Sequence, residues 1–170
     1  MIILGIDPGY AIVGYGVLRF EKKRFSVIDF GAVTTPAGMD FSDRLKEIYD
    51  DVSFIFQKYK PEALAIEKLF FNTNKTTAVD VAQARGVILL AARENGAQVF
   101  EYTPLQVKQS VAGYGRAEKK QVQEMTRSIL GLSAVPKPDD TADALAMAIC
   151  HAHCSGSAVS RLEQMIKNKR

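Results

Sequence analysis

Ile2-Ile3-Leu4-Gly5-Ile6-Asp7-Pro8-Gly9 opens the chain and decides its fold. Ile2–Ile6 is apolar without alternation, the pattern of a central strand buried on both faces. Asp7-Pro8-Gly9 ends it with turn chemistry. Working outward, Val13–Arg19 and Phe25–Val33 read as two more strands, joined by the polar hairpin turn Glu21–Arg24. Leu45, Ile48, Val52, Ile55 and Phe56 recur at three- and four-residue spacing, which predicts a helix over Phe41–Tyr59 with Ser42 as N-cap. Ala63–Glu67 is a short fourth strand, Leu69–Lys75 a loop, and Thr76–Glu94 a long helix stopped by Asn95-Gly96. Gln98–Tyr102 is the fifth strand, and Thr103-Pro104 caps a short helix through Val111. The glycine loop Gly113–Arg116 leads into a helix over Ala117–Leu130. After the breakers Pro136 and Pro138, a last helix runs from Asp139 to about His153.

Three strands, helix, strand, helix, strand and then helices make an α/β protein with a mixed five-stranded sheet flanked by helices. The opening hairpin pairs antiparallel, and the fourth and fifth strands need right-handed helical crossovers. A chain of 170 residues, 47% of them apolar, supports one core. That domain is placed at 1–155, with 156–170 as a flexible basic tail. The net charge of +3 is modest, but the cations gather at Lys22–Arg24, Arg116–Lys120 and Arg161–Arg170. The apolar start has no basic region before it, and Val87–Ala92 is flanked by Arg85 and Arg93. No signal peptide or membrane span is expected, and the protein reads as cytoplasmic. Two cysteines form no disulfide framework. Cys150, His151, His153 and Cys154 are zinc-ligand types, but on a helix the histidines diverge from the face the cysteines share. The cysteines read as small apolar packers.

The acids carry the chemistry. Asp7 follows the central strand and Glu67 ends the fourth, and open α/β sheets bind ligands beyond strand carboxyl ends. Asp140 and Asp143, three apart on the last helix, share a face. Asp139 and Asp143, four apart, would face together too, so spacing leaves open which of Asp139 and Asp140 points inward. Alone, each acid has an ordinary reading: a turn, a solvated strand end, or first-turn helix acids. Together they come from three elements to one edge. Four carboxylates so placed repel and need cations, and hard oxygen donors suit Mg²⁺ or Mn²⁺. Two ions roughly 4 Å apart activate water and stabilise the leaving oxygen of a phosphodiester.

These residues also form a recognisable series. Gly5-Ile6-Asp7-Pro8-Gly9 with Gly14-Tyr15-Gly16, Ala65-Ile66-Glu67 with Phe70, and Gln83-Ala84-Arg85-Gly86 come first. Val107-Lys108-Gln109, then Gly113, Gly115, Ala117, Lys119, Gln121 and Val122, and lastly Asp140-Thr141-Ala142-Asp143-Ala144-Leu145-Ala146 follow. In order and spacing, from Ile2 to about His153, they resemble the RuvC Holliday junction resolvases. The resemblance implies a ribonuclease H-like fold and a homodimer. It implies an endonuclease that resolves four-way DNA junctions by symmetric metal-dependent nicks, in recombination and repair, beside the RuvA-RuvB branch-migration complex. It implies catalytic, metal-binding acids at Asp7, Glu67, Asp140 and Asp143, and so prefers Asp140 to Asp139. Thr141 and Tyr10 depart from the family pattern, which has small residues there.

Phe70 and Phe71 sit in a polar loop after Glu67, where aromatics stack on unpaired bases or pack as core at a strand exit. The resemblance favours Phe70 as the stacking residue. Lys75, Lys108, Arg116 and Lys119 are the candidate DNA contacts, Lys108 and Lys119 on the strength of the resemblance. Two symmetric nicks from a chain with one acidic site call for a two-fold dimer. The helix bearing Val79, Ala82, Gly86, Leu89 and Leu90 is a candidate interface, although Gly86 would equally permit close packing on its own sheet. Two other enzyme readings share parts of this pattern. Actin-like ATPases share the opening Gly-x-Asp-x-Gly, but they need a second lobe that this chain lacks. Short nucleases of ribosomal RNA precursors share the acids, but not the basic and Phe-bearing motifs. A DNA-binding module without catalysis is the third alternative, and the full acid set opposes it.

Overall fold

The computed structural model describes residues 1–69 and 75–156, with Lys75 and Thr76 described by their backbone alone. The tail 157–170, and with it the expectation for that segment, lies outside the described residues. The elements are β1 (Ile2–Asp7), β2 (Ile12–Glu21), β3 (Arg24–Thr34), α1 (Phe41–Tyr59), β4 (Ala63–Glu67) and α2 (Lys75–Glu94). They continue with β5 (Gln98–Tyr102), α3 (Pro104–Ala112), α4 (Lys119–Leu130) and α5 (Asp139–Ser155). The sheet order is β3-β2-β1-β4-β5, antiparallel through the hairpins and parallel from β1 to β4 and β4 to β5. The expected mixed five-stranded sheet is therefore present, and β1 is central.

Side chains alternate across a strand, so β1 splits between two cores. Leu4 and Ile6 face α1 and α2, packing with Ile48, Val52, Phe56 and Ile88. Ile3 faces the other way, toward α3, α4 and α5. By the same alternation Gly5 and Asp7 face α5, and so does Glu67, two residues after Ala65 of that second core.

Helix α5 is buried almost all round, from Thr141 to Ala152, because its turns are built from alanines that let it lie directly on β1 and β2. A Cβ on Gly5 would lie 2.0 Å from the Ala144 carbonyl oxygen, and one on Gly14 would lie 2.1 Å from that of Asp140. These glycines seat the helix, and Gly14 pairs across the hairpin with Asp7.

Some helix starts differ from expectation. Asp40, not Ser42, caps α1, its carboxylate accepting from the Ser42 N–H at 2.9 Å. Asp40 directly precedes the first helical residue, Phe41, and reaches the second amide beyond itself, the usual N-cap geometry. Helix α4 begins at Lys119 rather than Ala117, because Glu118 is extended and its N–H donates to Gln121 Oε1 at 2.8 Å.

His151 explains the cysteine-histidine run. It is 2% exposed, its Nδ1 meets the Tyr102 hydroxyl at 2.8 Å, and the Phe100 ring lies 4.3 Å away. Cys150 is fully buried beside it, as a packing residue. Burial pushes the imidazole from 6.5 down to about 4, so the folded state holds it neutral while the unfolded state protonates below 6.5. Stability from this group is therefore lost as pH falls from about 6.5 towards about 4, by at most about 3 kcal/mol. In urea titrations at pH 7 and pH 4.5, His151→Phe should lose visibly less stability on acidification than the parent; equal losses would rule the account out.

Candidate active site

Asp7 ends β1 and Glu67 ends β4. The parallel register pairs Ile6 with Ile66, so the two acids are next in line on adjacent strands. Asp143 comes from the first turns of α5, above the same strand ends. Asp7, Glu67 and Asp143 line one cleft of about 190 Å³ with Lys108 and Lys119. The buried side chains of Val107, Val122 and Met147 form its apolar wall.

The electrostatics follow from that wall and those charges. Burial raises the Asp7 carboxyl from 3.8 to about 7, and the charges of Asp143, Glu67 and Asp140 push the same way, against Lys119. Burial also raises Glu67, helped by Asp143 and opposed by Lys119. Asp143 itself is met by Lys119 Nζ at 2.8 Å, which raises the lysine.

Asp140 does not line the cleft, yet its charge acts on Asp7. Asp139 instead forms an ion pair with Lys137, which lowers its carboxyl below the usual range. Spacing left the two neighbours equivalent, and in the folded chain Asp140 acts on Asp7 while Asp139 is engaged by Lys137. Among the described residues, no three acids already close on a single point at metal-ligand distances. The donor set is nonetheless that of a hard divalent cation: carboxylates only, mutually repelling, with Asp7 bearing the largest penalty.

Of the expected DNA contacts, Lys108 and Lys119 stand at the cleft. Arg116 is exposed on the loop before α4 and does not line it. Phe70 and the Lys75 side chain lie outside the described residues. The two departures from the family pattern are both accommodated away from the cleft. Tyr10 packs toward α1, its ring 6.5 Å from Phe41 and 5.7 Å from the Arg44 guanidinium. The buried Thr141 hydroxyl donates to the Gly31 carbonyl at 3.0 Å. Sequence reasoning missed the cleft's apolar wall and the seat that Gly14 provides. A glycine directly opposite Asp7 in the hairpin was the available signal for that seat.

A ribonuclease H-like sheet with carboxylates gathered beyond its central strand ends defines a nuclease of that fold class. Comparison with known proteins narrows it. The family profile described as crossover junction endodeoxyribonuclease RuvC matches residues 3–151, and the chain belongs to this family. The crossover junction endodeoxyribonuclease RuvC of Ruminiclostridium cellulolyticum is 60% identical over 151 residues, 89% of this chain and 91% of that one. The Thermus thermophilus RuvC structure superimposes with a TM-score of 0.85 at 37% identity, covering 96% of this chain and 97% of that one. The T. thermophilus RuvC in complex with Holliday junction substrate gives 0.83 at 36% identity, covering 91% and 95%.

Proposed function

We propose that this protein resolves four-way DNA junctions by symmetric, metal-dependent nicks, using Asp7, Glu67, Asp140 and Asp143. The observation that carries the reading is the cleft where Asp7 and Glu67, at adjacent strand ends, meet Asp143 from α5; burial and the charges of Asp143, Glu67 and Asp140 raise the Asp7 carboxyl to about 7. Such a cluster stores repulsion that a divalent cation relieves.

Asp7, Glu67 and Asp143 would hold Mg²⁺, or Mn²⁺ in its place, with Asp140 beside them; two ions per site suit four carboxylates. Bound metal supplies an activated water and charge stabilisation at the leaving oxygen. The chain's own residues do the remaining work. Lys119 holds Asp143 by an ion pair at 2.8 Å, and its ammonium at the cleft would be within reach of a phosphate oxygen there. Lys108 contacts the backbone of the strand to be cut, and Arg116 holds the flanking phosphates. Phe70 stacks on a base opened at the crossover, and Lys75 contacts the adjoining backbone. The wall of Val107, Val122 and Met147 limits water around the acids and strengthens every charge interaction there.

The active species is a homodimer, because the substrate is two-fold and each chain carries one acid edge. Helix α2 supplies the contact: Val79 is 58% exposed and Leu90 52%, and a Cβ at Gly86 would meet nothing within 4 Å. Packing on its own sheet therefore does not account for Gly86, and the open face leaves room for a facing helix. The RuvA-RuvB branch-migration complex is the partner this activity needs, in the cytoplasm. Among the described residues, no helix is long and apolar enough to cross a membrane.

The test is an end-labelled four-way junction beside a linear duplex of the same sequence, with Mg²⁺. Paired nicks at symmetric positions in the junction alone are expected. Equal cutting of the duplex, or no cutting across a panel of junction sequences with Mg²⁺ or Mn²⁺, would sink the proposal. Leu90→Arg should turn the sedimenting dimer into monomer and replace paired nicks by single ones.

A further inference from the structure

The motif Gln83-Ala84-Arg85-Gly86 contributes no acid and no cleft residue, yet it reaches the active edge. The Arg85 side chain is 13% exposed. Its Nε donates to the main-chain carbonyl oxygen of Glu67 at 3.3 Å, and its Nη2 is ion-paired with the Glu101 carboxylate on β5. One guanidinium therefore joins α2, the last residue of β4 and the neighbouring edge strand.

The position of that carbonyl matters. The carbonyl carbon and the Glu67 side chain branch from the same Cα, so holding that carbonyl fixes the end of β4 from which the carboxylate extends to the cleft. The main chain there is also tied to β5, by the pairing of Glu67 with Tyr102 and by the Lys68 N–H to the Tyr102 carbonyl at 2.9 Å. A guanidinium is a rigid planar fork and holds two acceptors in fixed relative directions, which an ammonium does not. Small misplacements at a catalytic site cost rate steeply, about 10²-fold for 1 Å.

We propose that Arg85 is a positioning residue for the acid edge, holding Glu67 in the orientation that metal binding and cleavage require. Gly86, its neighbour, lies in the stripe assigned to the subunit contact, so the same fork ties that contact to Glu67. This second part rests on the homodimer reading.

The full-length protein and its Arg85→Gln and Arg85→Lys variants are compared by Mn²⁺ binding without DNA, followed by electron paramagnetic resonance. Single-turnover junction cleavage and junction affinity in EDTA are measured beside it. Arg85→Gln is expected to weaken Mn²⁺ binding about 10-fold, the scale for losing the partner behind a metal ligand, and to slow cleavage accordingly. Junction affinity is expected to hold, and Arg85→Lys to recover part of the Mn²⁺ affinity. Glu101 is 45% exposed, so Glu101→Gln should fold normally and weaken Mn²⁺ in the same direction by a smaller factor. It carries the test if Arg85→Gln does not fold.

Unchanged Mn²⁺ affinity in these variants overturns the proposal. So does lost junction affinity with Mn²⁺ binding intact, which would make Arg85 a DNA contact. For the subunit link, a monomeric Leu90→Arg chain should bind Mn²⁺ more weakly than the parent, and that difference should vanish in the Arg85→Gln background. A Leu90→Arg chain that stays dimeric overturns the subunit contact alone and leaves the result on Arg85 standing.

Discussion

Asp7→Asn should cost cleavage a factor on the order of 10⁴, the scale of removing one member of a catalytic set, and should at the same time make the protein more stable. Both effects have one origin. The folded protein holds the Asp7 carboxyl at about 7 against 3.8 in an exposed chain, so over that interval the folded state binds more protons than the unfolded one. Stability in metal-free buffer therefore falls as pH rises from about 4 to about 7, and an amide that carries no charge escapes the loss. Each kcal/mol of repulsion relieved should raise Tm by roughly 2–4 °C for a chain of this size. Melting curves of both proteins in EDTA should coincide near pH 4 and separate by pH 8, with the variant higher. A variant that melts below the parent at pH 8, or still nicks junctions at the parent's rate, would remove Asp7 from the centre of the site.

Gly5→Ala should be severely destabilising although it adds a single methyl. The added Cβ would stand 2.0 Å from the Ala144 carbonyl oxygen and 2.9 Å from the Ala148 nitrogen. Both are helix backbone, so no side chain can rotate out of the way, and α5 must lift from the sheet. Overpacking of this kind costs about 3 kcal/mol or more, and the lift also carries Asp140 and Asp143 away from Asp7. The urea midpoint and Mn²⁺ affinity should fall together. A variant within about 1 kcal/mol of the parent, smaller than ordinary overpacking, would mean the helix does not rest on Gly5 as described.

Much of this was legible because it depends on local pattern. An unbroken apolar run marks β1 as central, and Asp7 and Glu67 follow from strand ends that lie in parallel register. What local pattern could not decide was contact between distant elements. Asp140 and Asp139 are equivalent by spacing, and only the folded arrangement shows Asp140 acting on Asp7 while Lys137 engages Asp139. Gly86 permitted packing on either side, and the open space around it shows only that its own sheet does not crowd it. The bond from Arg85 to Glu67 spans 18 residues between a helix and a strand end, and no periodicity announces it. Ser42 and Asp40 are both good caps, and only the backbone conformation chooses between them.

The seating of α5 on Gly5 and Gly14 also orders events in time. A ribosome delivers Asp7 among the first residues of the chain and Glu67 midway, but Asp140 and Asp143 only with the last described helix. Until that helix has emerged and docked, the growing chain has Asp7 and Glu67 without Asp140 and Asp143, and nothing covers that face of β1. A polypeptide halted before α5 therefore lacks two of the four acids proposed for cutting and the helix that covers β1.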